Sequence, residues 1–538
     1  MDLKRGETGL GWNVSKKTID ASDEWQDERL KIVPATKKFR YGGIVPELED
    51  KMNIMFSSVV ATGVHACTAN TVSQGRESIA ERTMSEEEND PLDKTGNVES
   101  SPAEARKRRK KGKSKDLGDF HDTTFLILHV VKDADGIQHW KKVKIKVEDH
   151  VITPTFPSGL ELYDKLIDDY LTKLAMERLS PLRPLWELHL LKYPTRSTAA
   201  TAVFKLHHAL GDGFSLMGAL FSCLRRADDP SLPLTFPSRR QISAPMKAGM
   251  LIQCCRAASR AVEVGLNTVN DFAWGLLKSS LVEDDRTPVR SGEAGVEFRP
   301  LVISKVVFSL EDARKIKDKL GGTINDVVSG VIFYGIQLYM NAVNGGGAFR
   351  VGMGKVTALL LLNTRNVNNY QYLDEMKSPD SKSPWGNQFG FIHVSVPNCN
   401  DADNVDPLTF VLKGRQIIRA KRNSLGVYLT GRMLELLRKH RGSEVVAQYM
   451  HRTLMNASAT ISNLTGPVEQ MMMGNNPISN FYFMVIGVPQ NLTVTVVSYM
   501  EKLTVAMGTE RGFIDSDLLV SSMTKSFQRI FQAAMQKA

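Results

Sequence analysis

One seven-residue run carries the residue types that do chemistry: His207-His208-Ala209-Leu210-Gly211-Asp212-Gly213. An unperturbed histidine, with a pKa of about 6.5, is mostly neutral at cytosolic pH and can take a proton from a hydroxyl. Acyl transfer from a thioester to an alcohol needs little beyond such a base, a stabilised oxyanion and orientation, because a thiolate leaves readily. Asp212 either orients the imidazole or holds the turn through an ion pair with an arginine, and the flanking glycines let the backbone fold tightly. A metal site would need further ligands, and the nearest candidate, His189, falls on another predicted strand, so none is expected. No Ser or Cys sits beside the histidines as a nucleophile, which makes direct transfer without an acyl-enzyme the expected route.

The elements around the run explain how it is positioned. Residues 124–131 and 142–147 read as strands about the Asp133-Ala134-Asp135-Gly136 turn, a hairpin signal. Leu160, Tyr163, Leu166, Ile167, Tyr170, Leu171 and Leu174 form one helical stripe. Residues 186–193 and 202–206 read as strands, and the second leads into the histidines. Leu216, Met217, Leu220, Phe221 and Leu224 then resume helical spacing. The run is therefore a strand-to-helix turn, a place that holds a reactive side chain rigidly at a sheet edge.

Residues 245–280 look helical, and the polar stretch 283–300 reads as a linker. Beyond it, strands at 303–309, 356–362, 391–396, 481–488, 492–499 and 502–507 alternate with helices near 310–320, 324–341, 406–422 and 515–537. Both halves are mixed α/β. Thr323 and Asp326 have the spacing of a capping box, so Asn325 and Asp326 either secure a helix or meet substrate. Trp385-Gly386-Asn387 is a turn with Asn387 as a candidate contact, and Asn463 and Gln490 end predicted strands where they could donate to an oxyanion or a ligand.

Composition bounds the alternatives. A length of 538 residues and a 42% hydrophobic fraction describe a globular protein of two packed units. The five cysteines are scattered and odd in number, which fits structural thiols in a reducing compartment. The net charge is +10, but the run 106–115 (RKRRKKGKSK) alone carries eight basic residues, so no nucleic-acid-binding field is expected. The sequence opens without an apolar leader. The uncharged stretches 470–500 and 327–339 are broken by Asn and Pro or too short to span a bilayer. Residues 74–118 lack aromatics and carry charge blocks, the composition of a disordered segment; a short amphipathic helix is expected just before it, around Met52 to Val60.

The run 207–213, with Pro184-Leu185-Trp186, Asn325-Asp326 and Ile461-Ser462-Asn463-Leu464-Thr465-Gly466-Pro467, resembles the wax ester synthase/diacylglycerol acyltransferase family. Val147-Glu148-Asp149-His150-Val151, Leu362-Asn363-Thr364-Arg365 and Gly487-Val488-Pro489-Gln490 are similar to phrases of its plant branch. The resemblance runs from about residue 120 to the end. It implies the fold of the coenzyme A-dependent acyltransferases, with two α/β lobes and a tunnel between them. These would be residues 120–282 and 301–538, joined by 283–300 and preceded by a divergent region, 1–119.

It also implies His208 as general base beside His207, Asp212 and Gly213 as supports of the motif, and acyl-CoA as co-substrate with no bound cofactor. The acceptor would be a long-chain alcohol or diacylglycerol, and the enzyme would sit peripherally on the cytosolic face of the endoplasmic reticulum or on the plasma membrane, with 245–280 as the contact. Two rival readings stay open, one from a departure and one from the shared H-x-x-x-D element. One is a non-catalytic relative or basic-tail binding protein, because the first 120 residues lack the family's opening. The other is a soluble transferase acting on phenolic or amine acceptors, although the Asp-Phe-Gly-Trp-Gly element of that group is absent.

Overall fold

The computed structural model describes residues 128–132, 138–143, 145–180, 182–237, 250–345, 354–365, 370–377, 381, 383–399 and 402–537, and the short strands β1 (Gly11–Asn13) and β2 (Thr18–Asp20). The segment 74–118, its basic run and the helix expected before it lie outside the described residues.

Besides the antiparallel β1–β2 pair, the described first half is built on two small sheets. β3 (Leu128–Lys132) and β4 (Gln138–Lys142) form an antiparallel hairpin, so the second strand lies earlier than the 142–147 expected. β5 (Val151–Ile152) pairs in parallel with β6 (Trp186–Leu191), and β6 pairs antiparallel with β7 (Thr201–Leu206). Helix α1 (Asp164–Met176) packs its Ile167 and Leu171, with Tyr163 before it, against Leu191, Tyr193 and Val203. Leu160 falls outside that helix and is exposed. Helix α2 (Gly213–Cys223) leads into β8 (Arg225–Arg226), which joins Met471–Met473 of the second half. Helix α3 (Met250–Ser280) follows.

The stretch 283–300 is a packed connection, with Asp284, Val289, Arg290 and Val296 all buried. Its buried ion pair and apolar contacts come from residues far along the chain, which composition alone does not reveal. Then come β9 (Leu301–Ser309), α4 (Leu310–Lys319), α5 (Ile324–Gly345), β10 (Thr357–Asn363), α6 (Leu373–Lys377), β11 (Phe389–Ser395), α7 (Leu408–Arg422), α8 (Gly426–Arg441), α9 (Ser443–Met455) and β12 (Ala459–Thr465). β13 (Met471–Met473), β14 (Asn476–Pro477), β15 (Leu492–Tyr499), β16 (Lys502–Glu510) and α10 (Ser516–Gln536) complete the order.

A six-stranded mixed sheet, ordered β11-β10-β12-β15-β16-β9, organises this half, with β12 parallel to both its neighbours. One face carries the main core: Ala358, Val494, Val496 and Val505 meet Val328, Ile332 and Ile336 of α5 and Met523 and Ile530 of α10. The uncharged run 327–339 is thus a helix buried all round inside protein. Its glycines permit that closeness, since a Cβ on Gly330 would lie 2.5 Å from Val411 of α7 and one on Gly335 would lie 2.4 Å from Met523 of α10. On the other face Leu359 and Phe391 pack against Val446, Met450 and Leu454 of α9 and Leu434 of α8.

The expected strand at 481–488 is not one. That segment crosses the face of β15 and β16 without a ladder, the Thr495 hydroxyl donating to the Phe483 carbonyl and Met484 resting on Gly508. Its apolar side chains are half-buried, and a run of that kind fits either outcome until the contacts are known. No described helix is long and apolar enough to cross a membrane.

Candidate active site

β7 delivers the histidine turn. The His207 amide donates to the Leu185 carbonyl at 3.0 Å, and the chain then makes a single 3-10 turn over His208–Leu210. His207 caps that turn: its Nδ1 accepts from the Ala209 amide at 3.1 Å. The ring proton of neutral His207 is therefore on Nε2. Burial, reinforced by the neighbouring His208, pulls this imidazole down to about 4, so it is neutral at physiological pH.

The His208 ring stands 5.6 Å from that of Phe389 on β11, inclined at 56°. Its Nδ1 is buried with no hydrogen-bond partner, so no carboxylate orients it.

Asp212 is turned away from the histidines. It caps α2 by accepting the Ser215 amide on Oδ1 at 3.0 Å. Its Oδ2 accepts from the Arg365 guanidinium at 2.6 Å and from the Gln388 amide at 2.8 Å. Arg365 is buried as well, donates to the Ser215 hydroxyl at 3.0 Å, and lies 5.0 Å over the Phe214 ring. Of the two roles open to Asp212, the geometry shows the ion pair with an arginine. Gly211 sits where a Cβ would come within 3.0 Å of the Ser215 Cβ and 3.2 Å of Trp385, which confines the position to glycine. A Cβ on Gly213 would meet Leu464 at 3.4 Å, so the motif abuts the end of β12.

Residues 385–387 clamp the turn from behind. The Trp385 indole donates to the Leu210 carbonyl at 2.6 Å, the Gly386 carbonyl accepts from the Asp212 amide at 3.4 Å, and the Asn387 amide donates to the His208 carbonyl at 3.0 Å. Asn387 was a candidate substrate contact; it is 1% exposed, and its visible work is to fix the backbone of His208. Its Oδ1 is buried without a partner.

The remaining candidates separate. Asp326 forms a reciprocal capping box, accepting the Thr323 amide at 2.8 Å while its own amide donates to the Thr323 hydroxyl at 3.2 Å. That geometry assigns it to the helix start. Asn325 accepts from Asn463 Nδ2 at 2.7 Å, which joins two sequence motifs at the exposed end of β12. Gln490 is buried at the other end of the sheet, accepting from the Thr460 hydroxyl and donating to the Ala457 carbonyl at 3.5 Å. Thr460 and Leu464 are four residues apart on one strand, about 13 Å, so Gln490 is not at the histidine turn. Its amide is occupied by the β12 entry, a partner that no spacing near 490 announces.

Sequence reasoning did not name Arg365 as a site residue. Its signal lay in the phrase Leu362-Asn363-Thr364-Arg365, whose position 153 residues from Asp212 gives no local hint of pairing. Among the described residues no cluster of three or more His, Cys, Asp or Glu is placed to hold a metal ion.

Residues 164–328 match the wax ester synthase/diacylglycerol acyltransferase catalytic domain, and residues 385–531 match the WS/DGAT C-terminal domain. Wax ester synthase/diacylglycerol acyltransferase 4 of Arabidopsis thaliana is 32% identical over 425 residues, covering 76% of this chain and 81% of the relative. The chain belongs to this acyltransferase family. Member 6 from the same plant is 30% identical, covering 74% of this chain and 82% of its own length. A solved family structure, from Marinobacter aquaeolei VT8, aligns over 78% of this chain and 90% of its own with a TM-score of 0.48 at 15% identity. The family's catalytic domain thus contains the whole 207–213 turn, while Trp385, Gly386 and Asn387, which clamp it, open its C-terminal domain.

Proposed function

We propose that this acyltransferase esterifies a long-chain alcohol, and to some degree diacylglycerol, with the acyl group of acyl-CoA, using His208 as general base. The observation that carries the reading is the division of labour within one motif. Asp212 is consumed by Arg365 and the backbone, and His208 is held by its backbone with one ring nitrogen buried.

His208 Nε2 accepts the hydroxyl proton as the acceptor oxygen attacks the thioester carbonyl. The tetrahedral intermediate collapses with cleavage of the carbon–sulfur bond, and the departing thiolate takes the proton back. The serine nearest in sequence, Ser215, is fully buried and donates to the Gly386 carbonyl at 3.0 Å, which suits direct transfer without an acyl-enzyme. Coenzyme A is consumed as part of a substrate, and no resident cofactor is needed. Both organic substrates partition into lipid, so the reaction belongs at a membrane surface, and the cytosolic face of the endoplasmic reticulum is the proposed place.

Palmitoyl-CoA supplied in parallel with hexadecanol, diacylglycerol and a phenolic alcohol tests the acceptor class; dominant turnover of the phenol would overturn it. His208→Ala should lower kcat roughly 100-fold to 10,000-fold with an unchanged melting profile. Wild-type turnover in that variant would remove His208 from its role.

A further inference from the structure

Helices α3 and α8 present an apolar surface that the chemistry above does not use. On α3, Val262, Leu266 and Val269 are 62%, 68% and 70% exposed, and the exposed Ala273 and Leu277 continue the same stripe at helical spacing. From Val262 to Ser280 that face carries no charged residue over about 27 Å. The charges of this stretch lie elsewhere on the helix: Glu263 on its flank, and Asp271 and Lys278 on the packed side, paired with Lys421 and Asp284. Isolated exposed apolar residues are ordinary, but an ordered stripe of this length marks an interaction surface.

α8 packs against α3, with the Leu425 amide donating to the Thr268 hydroxyl at 3.0 Å. Its own outward side repeats the pattern, since Leu425, Tyr428, Leu429 and Leu436 are 44–59% exposed. Here, however, the apolar residues alternate with cations. Arg432 has an 82% exposed side chain, and the last turn holds Arg438, Lys439, His440 and Arg441. Across α7 and α8, residues 408–441, there are nine Lys and Arg against a single acid, Glu435, which pairs with Arg432 at 3.2 Å. The whole chain is only +10, so a second concentration of positive charge lies here, besides the run 106–115 that the sequence reading singled out.

We propose that the exposed sides of the contacting helices α3 and α8 dock the protein on an anionic lipid bilayer, the apolar stripe entering the acyl boundary and the α8 cations meeting the headgroups. Apolar length without charge, bordered by a cationic rim, is the arrangement an interfacial helix requires. A nucleic acid would match the cations and leave the stripe without a partner. The proposal does not depend on the acyl acceptor, and its test reads binding without turnover.

The full chain is floated with phosphatidylcholine vesicles with and without phosphatidylserine. The expected result is binding to the serine-lipid vesicles that weakens with salt. Leu266→Ser with Val269→Ser, and separately Arg432→Glu with Lys439→Glu, should each weaken it roughly tenfold or more, while replacing the basic residues of 106–115 with Gln should leave it unchanged. Variants that bind like wild type, or binding carried by 106–115 alone, overturn the proposal. So does a wild-type dimer that the α3 variant dissociates without vesicle binding, showing a second copy as the occupant. A Leu266→Cys thiol that resists maleimide in vesicle-free solution would show the stripe covered by the chain itself, which also overturns it.

Discussion

Two buried carboxylates hold the two ends of β10 in nearly the same way, and only one of them lies in the histidine turn. At the exit of the strand Asp212 takes Arg365 and the amides of Ser215 and Gln388. At its entry Asp284 takes Lys278, the Thr357 amide at 2.6 Å and hydroxyl at 2.8 Å, and the Ser458 amide at 3.0 Å and hydroxyl at 2.6 Å. The two sites are about 20 Å apart along the strand. Each ties a segment of the first half, or of the connection, to the six-stranded sheet. Both of these buried ion pairs are thus fastenings, and the two ends differ in what each fastening holds in place.

Equal fastening with unequal chemistry can be broken. Asp212→Ala and Asp284→Ala each strand a buried cation, so each should lower the unfolding free energy by about 3–5 kcal/mol, read by chemical denaturation. Turnover normalised to folded protein should collapse in the first variant, because the helix cap and the register of the histidine turn go with the carboxylate. It should stay near wild type in the second. Loss of normalised turnover in Asp284→Ala would mean that the far end of the strand also shapes the site.

Acid acts near both fastenings, because the turn contains the buried His207 and His393 lies close enough to the far one to feel Lys278 and Asp284. His207 sits at about 4, below its ordinary value, through burial first and His208 second. Between about pH 6.5 and 4 the unfolded chain takes up a proton that the folded chain refuses. Stability present above pH 6.5 is therefore lost as pH falls, and the loss levels off below 4, amounting to up to about 3 kcal/mol for this one group. His207→Gln should flatten part of the acid limb of a stability profile. His393 on β11, also drawn down to about 4 chiefly by burial, should preserve the rest. An acid limb identical in wild type and His207→Gln would show that His207 is not held neutral.

The exit site was legible because its determinants are compact: histidines, cap and glycines fall within seven residues, and the helix that follows has its own period. The partners that complete it were not, since Arg365, Trp385 and Asn387 reach the turn from more than 150 residues away. The entry site had no such kernel, and residues 283–300 read as a linker because the contacts of Asp284 at Thr357 and Ser458 leave no mark on its neighbours. Five strands of the six-stranded sheet, β9, β10, β11, β15 and β16, were expected individually because their β-rich runs are bounded by turns, while their pairing was not. The reading assigns no helix to 426–455, where α8 and α9 meet at Gly442 with φ +88. A half-buried helix rich in Arg and Leu shows its period weakly when its apolar residues lie on both sides.

The smallest effect tests whether the clamp across the halves adds to the fastening. Trp385→Phe keeps most of the ring that packs beside Gly211 and deletes only the donor to the Leu210 carbonyl. Leaving that carbonyl unpaired should cost about 1–2 kcal/mol, well short of the effect expected at Asp212. The turn would still be capped by His207 and still tied to Arg365, so KM should hold while kcat falls a few-fold as His208 gains freedom. If kcat is unchanged, the ion pair alone sets the position of His208. If kcat falls as far as in Asp212→Ala, the indole clamp is an equal partner, and the likeness between the two ends of β10 stops at their carboxylates.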